Sequence, residues 1–154
     1  MTTRGIEQLK AAGVHYRRLD YAPRETGVRY AASVLGLAPR TVLKSLVFVT
    51  EGGEFLFALM AGDGNVSTRK LARATCSKRV APASPHDAER VTGYRIGGIS
   101  PLGAKRPLPV VLDARAAALP RLAINAGNRG TLVQLRGVDL IEQLRPLIAD
   151  IRVE

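Results

Sequence analysis

The sequence predicts an α+β fold. Short apolar runs that alternate like β-strands recur along the whole chain, and segments with helical spacing lie between them. No internal repeat, low-complexity stretch or long linker divides the 154 residues, a length that suits one domain with a buried core. We therefore expect a single domain over residues 1–154.

The first part of the chain contains two helix patterns and one strand pattern. Apolar residues at helical spacing predict a helix over 6–12, and alternation over 14–21 predicts a strand. A proline-marked turn follows. A second helix is expected over 30–35, because Gly36 is suited to a helix C-terminus and Pro39 prevents continuation.

A β-hairpin is predicted next. Residues 42–49 and 54–60 are apolar strand-like runs, and Glu51-Gly52-Gly53 between them is a strong turn signal. The hairpin places Lys44 near the start of its first strand, within an otherwise apolar run.

The remainder of the chain alternates between short helices and short strands. Ser67 or Thr68 can cap a helix that extends to about Ala74. The same patterns predict a strand over 79–82, a helix over 85–91, strands over 109–112, 122–125 and 131–135, and a closing helix over 138–148.

The charge balance favours a polyanionic partner. The chain carries 23 Lys and Arg against 13 Asp and Glu, a net charge of +10, and such a field attracts nucleic acid. Charge alone leaves open that the arginines only solvate the surface. With three Phe, four Tyr and no Trp, there are few platforms for repeated base stacking. Docking of a folded RNA end therefore fits better than general single-strand binding.

Composition also argues against several classes of protein. No apolar stretch approaches membrane-spanning length and the N-terminus lacks a signal-peptide layout, so we expect a cytoplasmic protein without membrane contact. Cys76 has no disulfide partner, and we expect a buried structural thiol rather than a nucleophile. His15 and His86 provide neither a metal cluster nor a triad context, so no metal or cofactor is expected.

The most informative segment is 92–103, where four glycines and a proline surround Ser100. Glycine permits positive φ and close approach of a ligand, so the N–H groups of Gly97, Gly98, Ile99 and Ser100 can converge on an acceptor. The alternative is a tight structural corner, because glycine clusters commonly mark turns.

Lys44 is the second candidate. On an apolar strand its ammonium group would be partly desolvated, which strengthens attraction to a phosphate or an oxyanion. The alternative is an edge lysine whose head group reaches solvent.

Four segments together resemble a known family. Tyr21, Val42-Leu43-Lys44-Ser45-Leu46, Gly97-Gly98-Ile99-Ser100-Pro101-Leu102-Gly103 and Gly127-Asn128-Arg129-Gly130 occur in the order and spacing of the YbaK family. The glycine segment with its upstream lysine is the specific part of this signature. The resemblance implies a free-standing aminoacyl-tRNA deacylase, with the mixed, partly barrel-like sheet surrounded by helices of the editing domain inserted in bacterial prolyl-tRNA synthetases.

The resemblance also implies roles for individual residues. The implied catalytic residues are Lys44, Gly97 and Gly98, and the implied substrate-binding residues are Tyr21, Ile99, Ser100, Pro101, Asn125 and Arg129.

Three of these implied roles have alternatives. Tyr21 could pack the terminal adenosine or hydrogen-bond the aminoacyl group, or be a core tyrosine. Arg129 could pair with a carboxylate or reach the tRNA backbone. Asn125 and Leu132 depart from the serine and the acidic residue of Cys-specific relatives, so the amino-acid preference stays open.

The activity implied by the resemblance is removal of a misattached amino acid from tRNA, most simply cysteine from Cys-tRNA(Pro) or Cys-tRNA(Cys). The cysteinyl thiol could itself attack the ester, while alanyl or seryl substrates would need water or a ribose hydroxyl. The expected partners are the acceptor end of a mischarged tRNA and a prolyl- or cysteinyl-tRNA synthetase, with the protein a monomer or weak dimer. A non-catalytic tRNA- or synthetase-binding module and a small-molecule esterase are the competing classes.

Overall fold

The computed structural model describes the whole chain, residues 1–154, as helices and strands that alternate along the sequence. The helices are α1 (Arg4–Ala11), α2 (Val28–Leu35), α3 (Thr68–Ala74), α4 (Pro85–Thr92), α5 (Ala114–Ala117) and α6 (Gly137–Leu144). The strands are β1 (Arg17–Asp20), β2 (Leu43–Thr50), β3 (Phe55–Ala61), β4 (Val80–Pro82), β5 (Val110–Asp113), β6 (Arg121–Asn128), β7 (Thr131–Arg136) and β8 (Leu147–Ala149).

The strands form two sheets. One has five strands in the order β4-β2-β3-β5-β8, and the other has three in the order β1-β7-β6. The larger sheet is mixed, because β2 pairs antiparallel with β3 and β4 while β5 pairs parallel with β3 and β8. The two sheets meet at a parallel bridge between Val42 and Ala123. The predicted mixed α+β fold is confirmed.

The main core lies between the sheets and helices α1, α4 and α6. It contains fully buried side chains such as Leu9 on α1, Phe57 on β3 and Leu140 on α6. Burial of such side chains contributes about 1.5–3 kcal/mol each. The start of α3 follows the capping rules: Ser67 accepts the N–H of Lys70 at 3.2 Å, as predicted.

The hairpin of β2 and β3 is confirmed, and its register places Lys44 opposite Met60. β4 pairs with β2 only at Phe48, Val49 and Thr50. The remaining half of that β2 edge, from Leu43 to Val47, has no partner strand in the sheet, and this gap accommodates the site described below.

Several element boundaries differ from the prediction. The closing helix does not extend to residue 148: α6 ends at Leu144, Arg145 adopts a left-handed conformation with φ +46°, and Pro146 cannot continue a helix. The chain then forms β8, and Leu147–Ala149 pairs with β5. The short helix α5, four residues long, was not predicted.

Two further predictions are corrected. The strand predicted over 14–21 is shorter, Arg17–Asp20, so Tyr21 lies just beyond its end. Cys76 is exposed rather than buried and has φ +55°. It follows α3, where the chain turns towards β4, and this turn keeps its side chain out of the core.

Candidate active site

A cavity of about 520 Å³ lies beside the unpaired half of β2. The β2 residues from Leu43 to Phe48 form one side of the cavity, and the start of α2 forms another. The glycine segment after α4 and side chains of β6 and β7 complete its lining. Ala83 closes the cavity at the end where β4 pairs with β2, because the Ala83 N–H donates to the Val47 carbonyl at 2.9 Å. The cavity therefore lies where the two sheets converge.

Five residues predicted from sequence line this cavity together: Tyr21, Lys44, Gly97, Ile99 and Asn125. They come from four separate segments of the chain, and the fold brings them to one place. Neither histidine lines the cavity, which agrees with the absence of a triad context.

The glycine segment presents unpaired backbone donors. The N–H groups of Gly97, Ile99 and Ser100 make no hydrogen bond within the protein, whereas the N–H of Gly98 closes a turn onto the Arg95 carbonyl at 2.9 Å. Gly97 is exposed at the cavity and has φ +92°, a conformation that other residues adopt only at a cost. Of the predicted amide donors, Gly97 and Ile99 are both unpaired and at the cavity.

The glycine segment is packed directly on the turn between β6 and β7. A Cβ atom on Gly98 would lie 3.0 Å from the backbone nitrogen of Arg129, and one on Gly97 would lie 3.1 Å from the Arg129 Cδ atom. Neither position leaves free space for a side chain. The two glycine-containing segments of the signature thus form one unit in the structure.

Asn125 holds this unit together. Its Nδ2 donates to the Gly97 carbonyl at 3.0 Å, and its Oδ1 accepts the N–H of Gly127 at 2.7 Å. A register shift in β6 between Asn125 and Asn128 creates this arrangement. Asn125 therefore positions the glycine segment as well as lining the cavity.

The side chain of Ser100 does not reach the cavity. Ser100 is fully buried, and its Oγ accepts the N–H of Leu102 at 3.1 Å. The Tyr94 hydroxyl donates to the Leu102 carbonyl at 2.6 Å and fixes the same turn. The Ser100 side chain therefore fixes the turn, whereas the prediction for Ser100 concerned its backbone N–H; neither Ser100 nor Pro101 lines the cavity.

Tyr21 and Arg129 lie near each other at the edge of the site. The N–H of Tyr21 donates to the Gly130 carbonyl at 3.0 Å, which fixes Tyr21 against the β6–β7 turn. Burial raises the pKa of the Tyr21 hydroxyl, while the positive charge of Arg129 opposes that rise. Arg129 is exposed and forms no salt bridge, so no carboxylate of the protein holds its guanidinium.

Lys44 is half-buried, and its Nζ donates to the carbonyl of Gly64. A second oxygen, Oδ1 of Asn65, lies 3.4 Å from the same nitrogen. Burial lowers the pKa of Lys44, the charges of Arg29 and Arg152 lower it further, and Asp63 opposes them. The Lys44 head group is therefore held by the loop after β3, and does not simply reach into solvent.

Ser45 adds a polar group that sequence patterns did not single out. Its Oγ is buried and has no hydrogen-bond partner, and the residue lines the cavity next to Lys44. An unsatisfied buried hydroxyl costs about 1–3 kcal/mol, which a ligand group could recover. The apolar lining was also missed, because Val28, Ala31 and Leu46 follow the same spacing as core residues.

Two further observations concern metal binding and membrane spanning. No group of three or more His, Cys, Asp or Glu could hold a metal ion. None of the helices has the length and apolar character needed to span a bilayer. A cavity lined by a half-buried lysine and by residues with unpaired amides is suited instead to an anionic or carbonyl-containing ligand.

Comparison with known proteins identifies the family. Residues 23–142 match the family described as the aminoacyl-tRNA editing domain, and the chain belongs to this family. The YbaK-like resemblance and the fold that it implied are confirmed.

Individual relatives agree with this assignment. A protein of Enterococcus faecalis, EbsC, named as a candidate Cys-tRNA(Pro)/Cys-tRNA(Cys) deacylase, is 31% identical over 134 residues, covering 86% of this chain and 80% of the relative. A proline–tRNA ligase of Pelotomaculum thermopropionicum is 33% identical over 112 residues, covering 70% of this chain but only 19% of the ligase. The chain thus corresponds to a small part of that larger enzyme.

A solved structure shows the same fold over nearly the whole chain. The crystal structure of a candidate trans-editing enzyme for prolyl tRNA synthetase superposes with a TM-score of 0.88 at 26% identity, covering 98% of this chain and 96% of that one. The protein is therefore an aminoacyl-tRNA editing protein of the YbaK-like deacylase type.

Proposed function

We propose that this protein removes cysteine from mischarged Cys-tRNA(Pro) as a trans-editing enzyme. The observation that carries the proposal is the placement of Lys44 and the unpaired N–H groups of Gly97 and Ile99 around one cavity. An aminoacyl ester develops negative charge on its carbonyl oxygen as it is cleaved, and fixed N–H donors stabilise that charge. The name of the EbsC relative supports cysteine as the amino acid.

The ester carbonyl is expected to face the glycine segment. Gly97 and Ile99 would donate to the oxyanion, and Asn125 keeps Gly97 in place through its carbonyl. Lys44 would neutralise the terminal phosphate or the developing charge from the β2 side of the cavity. Arg129, which is exposed, would contact the tRNA backbone.

The chemistry proposed for cysteine uses the substrate's own thiol. The thiol sulfur attacks the ester carbonyl, the new C–S bond forms as the C–O bond to the ribose breaks, and the thiol proton passes to the departing ribose oxygen. The products are the free tRNA and a cyclic thioester. The protein then acts by positioning and electrostatic stabilisation, and supplies no covalent nucleophile.

Alanine is the second candidate substrate. Leu132 is apolar and 2% exposed, and both ends of the Asn125 amide are already engaged by backbone groups. The side of the cavity formed by Leu132 and Asn125 thus offers little to a substrate hydroxyl, which would lose hydrogen bonds to water on contact with it at a cost of about 1–3 kcal/mol. Small side chains without a hydroxyl, namely those of cysteine and alanine, fit this side of the cavity better than serine does.

The proposal is tested by comparing three substrates under identical conditions. Release of labelled amino acid is measured from Cys-, Ala- and Ser-tRNA(Pro), with catalytic amounts of protein. We expect rapid release of cysteine and little release of serine, and the cyclic thioester should be trapped as a transient product. Preferential release of serine would contradict the reasoning from Leu132 and Asn125, and release of alanine alone would exclude the thiol-assisted route.

A further inference from the structure

The loop that holds the Lys44 head group is itself paired with the C-terminal segment. The N–H of Ser67 donates to the Ile151 carbonyl at 2.7 Å, and the N–H of Val153 donates to the Asn65 carbonyl at 2.9 Å. Between them, Val66 and Arg152 form an antiparallel bridge. This backbone pairing brings residue 152 next to the loop that carries Gly64.

The side chain of Arg152 clamps this loop. Its Nη1 lies 3.1 Å from Oδ1 of Asp63, and its Nη2 donates to the Asp63 carbonyl at 3.2 Å. The guanidinium also packs closely against Gly64, because a Cβ atom there would be only 2.6 Å from Nη1 and 2.7 Å from Cζ. A planar guanidinium with several donors suits this two-point contact, which a lysine can reproduce only in part.

Gly64 links the clamp to the cavity. Its buried carbonyl accepts the hydrogen bond from Lys44, and its own N–H donates to the Ala61 carbonyl at 3.0 Å. The direction of that carbonyl therefore depends on the residues on either side of it. Arg152 touches both Asp63 and Gly64, but it does not line the cavity.

We propose that Arg152 is a positioning residue for Lys44: it fixes the Gly64 carbonyl, and that carbonyl fixes the ammonium group at the cavity. The inference rests on the catalytic role proposed for Lys44. Arg152 lies beyond residues 23–142, the region that matches the editing family. The loop that holds Lys44 is therefore stabilised by a residue outside the matched region. A misplacement of about 1 Å can reduce a rate by about 100-fold, so the loss of the clamp should be visible in kcat.

The kinetic test compares Arg152→Ala with Arg152→Lys and Arg115→Ala. Arg115 lines a different, polar cleft with Arg152 and forms no salt bridge, so its removal is a matched loss of one arginine. We expect Arg152→Ala to lower kcat for Cys-tRNA(Pro) by roughly 10- to 100-fold, with KM changed by less than about twofold. Arg152→Lys should recover part of kcat, and Arg115→Ala should retain it. Equal kcat values for wild type and Arg152→Ala would overturn the proposal.

A second measurement follows Lys44 without any tRNA. The Lys44 side chain is observed by NMR through its Cε carbon, and its pKa is measured by titration. Arg29, Arg152 and Asp63 are the charges that act on it. Removing Arg152 takes away a nearby positive charge and leaves Asp63 unneutralised, so the pKa of Lys44 should rise. In Asp63→Asn the pKa of Lys44 should fall, because the opposing charge is lost.

The two measurements separate this inference from the proposed function. An unchanged Lys44 resonance and pKa in folded Arg152→Ala would overturn the positioning role, whatever the activity. If wild type releases no amino acid while the Lys44 resonance moves in Arg152→Ala, the deacylase proposal fails and the positioning role is supported. Should Arg152→Ala not fold, the Lys44 resonance is followed in Arg152→Lys. We expect a smaller displacement of that resonance in Arg152→Lys, and an unchanged resonance would overturn the proposal.

Discussion

The substitution Gly97→Ala tests whether the glycine segment is a catalytic device or only a tight corner. Gly97 has φ +92°, and a Cβ atom there would lie 3.1 Å from the Cδ atom of Arg129. The positive φ costs an L-residue about 1–2 kcal/mol, and the Arg129 side chain must shift by a few tenths of an ångström. The peptides that present the Gly97 and Ile99 donors would rotate or move.

Gly53→Ala provides the matched control. Gly53 has φ +82° in the β2–β3 turn, and nothing lies within 4 Å of its added Cβ atom. Both variants should therefore lose about 1–2 kcal/mol of unfolding free energy, which urea denaturation measures. Only Gly97→Ala disturbs the amide donors, and loss of one such donor lowers kcat by about 100- to 1000-fold in known oxyanion holes.

The assay is single-turnover release of labelled cysteine from Cys-tRNA(Pro), with both variants at equal folded concentration. We expect Gly53→Ala to match wild type and Gly97→Ala to be slower by about 100-fold. If both variants cleave at the wild-type rate, the glycine segment is a structural corner and the assignment of its amides as oxyanion donors is refuted.

Three further predictions follow from the same site. Ser100→Ala leaves the buried Leu102 N–H without its acceptor, so unfolding free energy should fall by about 1–3 kcal/mol with a smaller effect on cleavage; a variant of unchanged stability would contradict this. Asn125→Ala removes the bond to the Gly97 carbonyl. The loss of transition-state stabilisation calculated from kcat should exceed the loss of unfolding free energy, and measurements of both cleavage kinetics and thermal unfolding will test this. Finally, the logarithm of tRNA affinity should fall linearly with that of salt, by about 0.7–0.9 per phosphate contacted, whereas salt-independent activity would favour a small-molecule esterase.

Local signals predicted much of the fold. The Glu51-Gly52-Gly53 turn between two apolar runs was enough to predict the β2–β3 hairpin and to place Lys44 near the start of a strand. The closing helix was predicted too long because its apolar spacing continues past its end. Pro146 is a signal that the helix stops; it ends at Leu144, and the left-handed Arg145 follows as its C-cap.

The candidate site was predictable only in part. The glycine segment and Lys44 stand out because their residue types are unusual for their surroundings. The contact between Asn125 and Gly97 depends on a register shift in β6, and no local pattern encodes it. The burial of Ser100 was equally hidden, because the same small hydroxyl suits a ligand contact and a turn inside the core.

The clamp on Lys44 could not be predicted for a different reason. Asp63 and Arg152 are 89 positions apart in sequence, and each is an ordinary surface charge when considered alone. Only the pairing of the C-terminal segment with the loop after β3 brings them together. Non-local pairing of this kind is set by the whole topology rather than by any segment.

Lys44 is proposed to serve a deacylase centre in this cavity. The most direct test is single-turnover release of labelled cysteine from Cys-tRNA(Pro) by wild type and by Lys44→Ala, with circular dichroism to confirm that both are folded. We predict rapid release by wild type and a loss of at least about 100-fold in Lys44→Ala. Undiminished release by the folded variant would contradict the catalytic role of Lys44.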